Sequence, residues 1–323
     1  MAKKIDDTRM SWTATLLALP SIGVFFFADM LGYGLAWQGA APDFAKLTPA
    51  AIRLDASGRL LIIAAALLGF GIFYLIVLRF LADLRDEFGP KTRRWLLGWY
   101  TGGVLLGGLW VWFGWMQIPV QDQLGKGFLR DALAQFGAAS GAAPGTLLDN
   151  FLLLWIGNRF ALMLAAGIVV TGGVSALVDP IARLDVAETR AFLFHQRRRL
   201  RTYVNAAATL LVVGLLFQIA WMRWPLVLLD SGTAAMLVRQ IDASVALTGV
   251  TGSVVIALFA VPASTILAAR AAALPPVTDD EPNARLFDAG LLSSVSKILV
   301  VLAPTLAGLA PSVIDIIGRL PTT

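Results

Sequence analysis

Cysteine is absent from the 323 residues, and histidine occurs once, at His195. The first absence excludes disulfides, thiolate metal sites and cysteine nucleophiles, and decides nothing about redox compartment. The second excludes paired-histidine haem ligation and histidine-rich metal centres within one chain. A serine, histidine and aspartate relay could draw only on His195, which sits in a basic stretch outside the apolar runs. No GxxxxGK[ST] phosphate loop occurs, which argues against an ATP-driven motor. Nothing in the chain calls for a cofactor, and no catalytic constellation is visible. Polar stretches long enough for a soluble domain are missing as well.

What is there is apolar. Hydrophobic residues make up 58% of the chain and the mean hydropathy is +0.75, against about 45 to 50% apolar residues in an ordinary soluble domain. The net charge of +5 and pI of about 9.8 could suit nucleic acid. The arginines, however, cluster in short segments between apolar runs, so the expected partners are the bilayer and its anionic head groups, not nucleic acid.

Six apolar runs reach spanning length, at about 11–36, 60–82, 95–118, 151–178, 203–224 and 244–269. Lipid offers no water to backbone groups, so each should be helical. The expected fold is therefore all-α, a polytopic membrane helix bundle with a six-span domain over residues 1–270. The first run follows Lys3, Lys4 and Arg9 as a secretory signal would, but is too long for a signal core and reads as a retained span.

Basic residues give the orientation. With a cytoplasmic N-terminus, the inner segments hold Lys3, Lys4 and Arg9, then Arg79 to Arg94, then the arginines from 183 to 201, then Arg270, Arg285 and Lys297. The outer segments hold fewer than half as many, which predicts that sidedness in a bacterial-type plasma membrane. Tryptophans fall near both ends of the runs, with Trp12, Trp95 and Trp99 inside and Trp37, Trp112, Trp115, Trp155, Trp221 and Trp224 outside, as interfacial belts would.

Between the runs, Thr48 and Pro49 read as an N-cap and first residue of a short outer helix that Gly58 closes. Leu124, Phe128, Leu129, Ala132, Leu133 and Phe136 recur at helical spacing and predict an amphipathic surface helix, followed by the flexible joint GAASGAAPG. The run ETRAFLFHQRRRLRTYV lies between the fourth and fifth spans, where Arg197, Arg198, Arg199 and Arg201 are expected to contact anionic lipid. Residues 271–323 form an acidic linker, with Asp279, Asp280 and Glu281, and an apolar segment at 298–317 broken by Pro304 and Pro311. That segment suits broken helices packed on the bundle or its inner surface, with a seventh span or a re-entrant segment as alternatives.

Arg159 is the residue around which the functional reading turns. A charged side chain within a span is costly enough to need a partner or a purpose. Arg159 lies eight residues past Phe151, about 12 Å deep at ~1.5 Å per residue. Asp29 lies eight residues before Trp37 at the outer end of the first span, and Gln218 six before Trp224 on the fifth. Asp29, Asn158, Arg159 and Gln218 thus form an expected polar layer, either a clamp that fixes helix order or a solute or ion site. Grouping spans one to three against four to six would also permit an inverted repeat, on topology alone.

Glycines crowd the third run, with Gly98 and Gly102, and Gly103 and Gly107, at GxxxG spacing. These predict close helix packing within the chain, answered by Gly167, Gly172 and Gly173, or contact between copies. Three functional classes follow: small-solute or ion permeation around the polar layer, a non-catalytic membrane subunit or scaffold for another membrane protein or a second copy, and an enzyme acting on lipid head groups at the basic face.

Overall fold

The computed structural model describes residues 8–9, 16–24, 49–116, 146–180, 184–224, 226, 229 and 231–275. Asp29, the amphipathic stretch at 124–136, the glycine-rich joint and the tail at 298–317 lie outside the described residues. The described residues build six helices: α1 (16–24), α2 (Pro49–Glu87), α3 (Pro90–Met116), α4 (Thr146–Ser175), α5 (Val186–Arg223) and α6 (Ser231–Ala272). Among the described residues, β1 (Thr8–Arg9) pairs antiparallel with β2 (Asp179–Pro180). Four of the helices, α2, α4, α5 and α6, contain segments long and apolar enough to cross a membrane, which is compatible with an integral membrane protein.

The helices outrun the spans expected for them. At ~1.5 Å per residue, the 38 residues of α5 reach about 57 Å, well beyond the ~30 Å hydrocarbon core. The arginine-rich stretch is therefore not a loop: it forms the first turns of α5. Asp185 caps that helix, its side chain accepting from the Glu188 backbone N–H at 2.7 Å. An acidic cap and an acidic residue in the first turn also suit the positive end of the helix dipole. On α6 the helix likewise starts earlier than the apolar run, and Asp242, about three turns in, pairs with Arg223 at the end of α5.

Gly58 does not close a helix. The helix that opens at Pro49, as expected, continues through Gly58 to Glu87. Its missing side chain makes room for the Trp224 indole, which would collide with any Cβ there. The cost of glycine inside a helix, about 1 kcal/mol relative to alanine, is offset by that close approach.

Helices α2, α4 and α5 pack against one another, while α3 lies on α4 and α6 on α5. The core has three parts. One gathers Ile62, Trp155, Trp221, Trp224 and Ile241. A second centres on Ile76, Phe80, Leu96, Ala165 and Tyr203. The third joins Ala18 of α1 to Val174, Leu193, Leu200 and Leu267. Trp155 and Trp221 meet edge to face at 6.2 Å. With Trp224 they are buried in the first core, so these three pack helix on helix and do not form the lipid-facing belt that their positions suggested.

The glycines divide in the same way. A Cβ at Gly107 would lie 3.2 Å from the Met163 sulfur, one at Gly167 would lie 3.3 Å from Tyr100, and one at Gly173 would lie 2.7 Å from Phe259. At Gly98, Gly102 and Gly103 the same space is open among the described residues, so no described helix of this chain closes on the Gly98 and Gly102 pair.

One end of the bundle collects the basic segments. There the β1 and β2 pairing brings the N-terminal residues to the α4–α5 connection, and Arg270 at the end of α6 pairs with Asp179 at 2.7 Å. Arg190 donates to the Pro275 carbonyl at 2.8 Å. At the α2–α3 turn Arg93 donates to the carbonyls of Leu84 and Phe88 at 3.0 and 3.3 Å.

Candidate functional site

At the basic end, α2 and α5 are joined through buried polar groups. Asp83 is almost fully buried. One of its carboxylate oxygens pairs with Arg79, one turn earlier on α2, at 2.7 Å, and the other accepts from the Tyr203 hydroxyl of α5 at 2.7 Å. Tyr203 can come this close because its ring lies against Gly172 of α4, where a side chain would collide with it. Three helices therefore meet at one phenol.

One turn along α5 toward the basic end, Arg199 turns inward with 8% of its surface exposed. It pairs with Glu87 at the end of α2, donates to the Ser175 carbonyl at 3.2 Å, and lies over the Phe88 ring at 4.5 Å. Gln196 donates to the Val178 carbonyl in the connection that follows α4. The Gln196 carbonyl oxygen and the Arg199 Nε are buried without a hydrogen-bond partner among the described residues.

The four arginines expected at anionic lipid thus have different surroundings. Arg198 and Arg201 are exposed and Arg197 is partly buried. Arg199 is the departure, because it is buried in the packed junction. Successive helical residues point about 100° apart, so a run of adjacent arginines must spread around the helix.

The expected polar layer is only partly visible. Asp29 lies outside the described residues. Arg159 stacks its guanidinium over the Trp155 ring at 4.5 Å. Asn158 is 0% exposed, its amide fitted against Gly69 of α2, and neither its nitrogen nor its oxygen has a hydrogen-bond partner among the described residues. Gln218 turns to α6, where its amide nitrogen donates to the Ser244 hydroxyl at 3.2 Å. The Asn158 amide is therefore not hydrogen-bonded to Gln218 among the described residues.

A cleft of about 210 Å³ opens between α2 and α5, beside the Asp83 junction. Ile72, Leu75 and Ile76 form its α2 wall, with Arg79 at one end. Ala206 and Thr209 form the α5 wall, with Thr202 and Tyr203 beside Arg79. Among the described residues, no group of three or more histidine, cysteine, aspartate or glutamate side chains could hold a metal ion. His195 is exposed, its ring edge-on to Phe194 at 6.2 Å.

No family model, curated protein or solved structure matches this chain.

Sequence reasoning missed the Asp83 junction because Asp83 sits among Arg79, Arg85 and Asp86, a pattern that reads as a solvated helix end. The signal available was spacing. Arg79 and Asp83 are four apart, on one helix face, beneath the apolar stripe Ile72, Ile76.

Proposed function

We propose that the protein is a non-catalytic, multi-pass subunit or scaffold of a bacterial-type plasma membrane, with its N-terminus and basic end cytoplasmic and a six-span domain at its centre. The observation that carries this reading is that polar side chains in and beside the spans are used to tie helices together. Tyr203 with Asp83 and Arg199 with Glu87 join α5 to α2, and Gln218 with Ser244 joins α5 to α6. Such ties fix helix order and orientation, as a framework for a partner membrane protein or a second copy requires. A permeation path would need polar groups turned toward a shared opening, and the cleft described above has an apolar wall along most of its length.

The test is reconstitution into vesicles with measurement of ion and small-solute flux. The expected result is flux equal to that of protein-free vesicles. Gentle solubilisation from the native membrane should yield a discrete assembly heavier than one 34.5 kDa chain in its detergent belt. Flux that disappears in Arg159→Ala or Asp29→Ala while the protein stays folded would overturn the reading.

One observation favours the permeation reading instead. The Asn158 amide is buried and lacks a partner among the described residues, and such a group costs about 1 to 3 kcal/mol unless something meets it. Under this reading a permeating solute or ion meets it, and Asn158→Leu abolishes flux. Under the framework reading the same substitution removes a desolvated amide, so melting temperature stays level or rises and flux stays at background. An enzyme acting on head groups would instead need carboxylates beside His195.

A further inference from the structure

The cleft between α2 and α5 is polar at one end only, and it lies on a pair of helices each long and apolar enough to span a membrane. We propose that it binds one anionic phospholipid, with the phosphate at Arg79 and an acyl chain along the apolar walls. This inference does not depend on whether the bundle is a framework or a path.

The spacing along both helices supports it. On α2, Ile72, Leu75, Ile76 and Arg79 follow the i, i+3, i+4, i+7 stripe of a single face, so three aliphatic side chains lead to one cation. Helix α5 crosses in the opposite sense: Tyr203 meets Asp83 and Arg199 meets Glu87, which sets Ala206 near the level of Arg79 and Thr209 near that of Ile76, along the aliphatic wall. The Thr202 and Thr209 hydroxyls both donate to carbonyls four residues back, at 3.0 Å, on Arg198 and Asn205. With those donors spent on the helix, the threonines present mainly methyl groups to the cleft.

Exposure separates the two ends of the site. Leu75 is 60% exposed, so the aliphatic part opens sideways toward the lipid. The Arg79 side chain is 49% exposed, and its pairing with Asp83 uses one nitrogen, so further donors remain to meet a ligand. Asp83 neutralises that charge in part. Arg198, exposed and one turn beyond Thr202 on the same face of α5, adds a second cation at the head-group end. The cleft volume of about 210 Å³ is below the range of about 300 to 1,000 Å³ typical of pockets that enclose a drug-sized solute. A chain segment that enters from the side and leaves the rest of the molecule in the bilayer fits such a space.

The experiment is native mass spectrometry of the full chain in detergent, titrated with phosphatidylglycerol or phosphatidylcholine of equal chain length. Wild type should retain one phosphatidylglycerol with a preference of roughly fivefold or more, the effect of one arginine at an anionic surface. The paired variant Arg79→Gln with Asp83→Asn leaves no buried charge unpaired; it should lose the head-group preference while still binding lipid. Ala206→Leu, which fills the cleft and leaves both arginines in place, should weaken retention of both lipids. Circular dichroism melts establish that each variant is folded. Equal retention of the two lipids by wild type would overturn the proposal, as would folded variants that bind as wild type does. Gradual accumulation of many lipids with no first tight one would overturn it too.

Discussion

The Tyr203 hydroxyl donates to the Asp83 carboxylate at 2.7 Å across 120 residues of chain, while Arg79 holds the other oxygen of the same carboxylate. A carboxylate buried beside an apolar core is tolerated only when its lone pairs are occupied, and here two side chains from two helices occupy them. The junction therefore reports on the docking of α5 against α2.

Tyr203→Phe should lower stability by about 1.5 to 3 kcal/mol, the range for a hydrogen bond to a charged group. Asp83→Asn should cost a similar amount, since it leaves Arg79 without its ion pair. The double variant should cost less than the two single losses added together, because Tyr203→Phe removes the bond that Asp83→Asn weakens. Thermal or denaturant melts of all three proteins in one detergent give the coupling, and simple additivity would mean that the bond contributes nothing.

A contrast among glycines checks the packing. Gly58→Ala and Gly172→Ala place a methyl against the Trp224 and Tyr203 rings, and should each destabilise by about 1 to 3 kcal/mol as overpacked sites do. Gly102→Ala meets open space and should be neutral or stabilising by up to about 1 kcal/mol, because alanine favours helix. Equal responses at the three positions would contradict the arrangement of α2, α4 and α5.

Adjacent arginines should behave oppositely. Glu87→Gln leaves Arg199 buried without its ion-pair partner and should cost about 2 to 3 kcal/mol, at the low end for a buried pair because Glu87 is partly exposed. Arg198→Gln removes an exposed charge and should change stability by no more than about 0.5 kcal/mol. A melt series over the two variants separates the packed arginine from the exposed one.

The Gln218 and Ser244 bond is a smaller tie. Hydrogen bonds between helices in lipid average about 0.6 kcal/mol. Ser244→Ala should therefore shift the melting temperature slightly and leave vesicle flux at background. A change in flux without a change in melting would move Gln218 from helix tie to solute contact.

Much of the architecture could be read from the residues in order. Apolar runs near 60–82, 151–178, 203–224 and 244–269 lie in the four helices fit to cross a membrane, because length and hydropathy alone determine whether a segment prefers lipid. Pro49 marked a helix start for an equally local reason, its fixed φ and missing N–H. The helical character of residues 186–202 was hidden by their charge, which signals a membrane edge whether the backbone is helix or loop.

What the order of residues determined by itself is that this chain carries its apolar surface in long helical segments and its positive charge in a few clusters between them. Only the tertiary structure decided that Arg199 faces inward while Arg198 faces outward, that Trp224 fills the space left by Gly58, and that Asp83 meets Tyr203. The physical reason is rotation. A helix turns about 100° per residue, so neighbours in sequence face different surroundings, and which of them finds a partner depends on helices brought alongside from far along the chain.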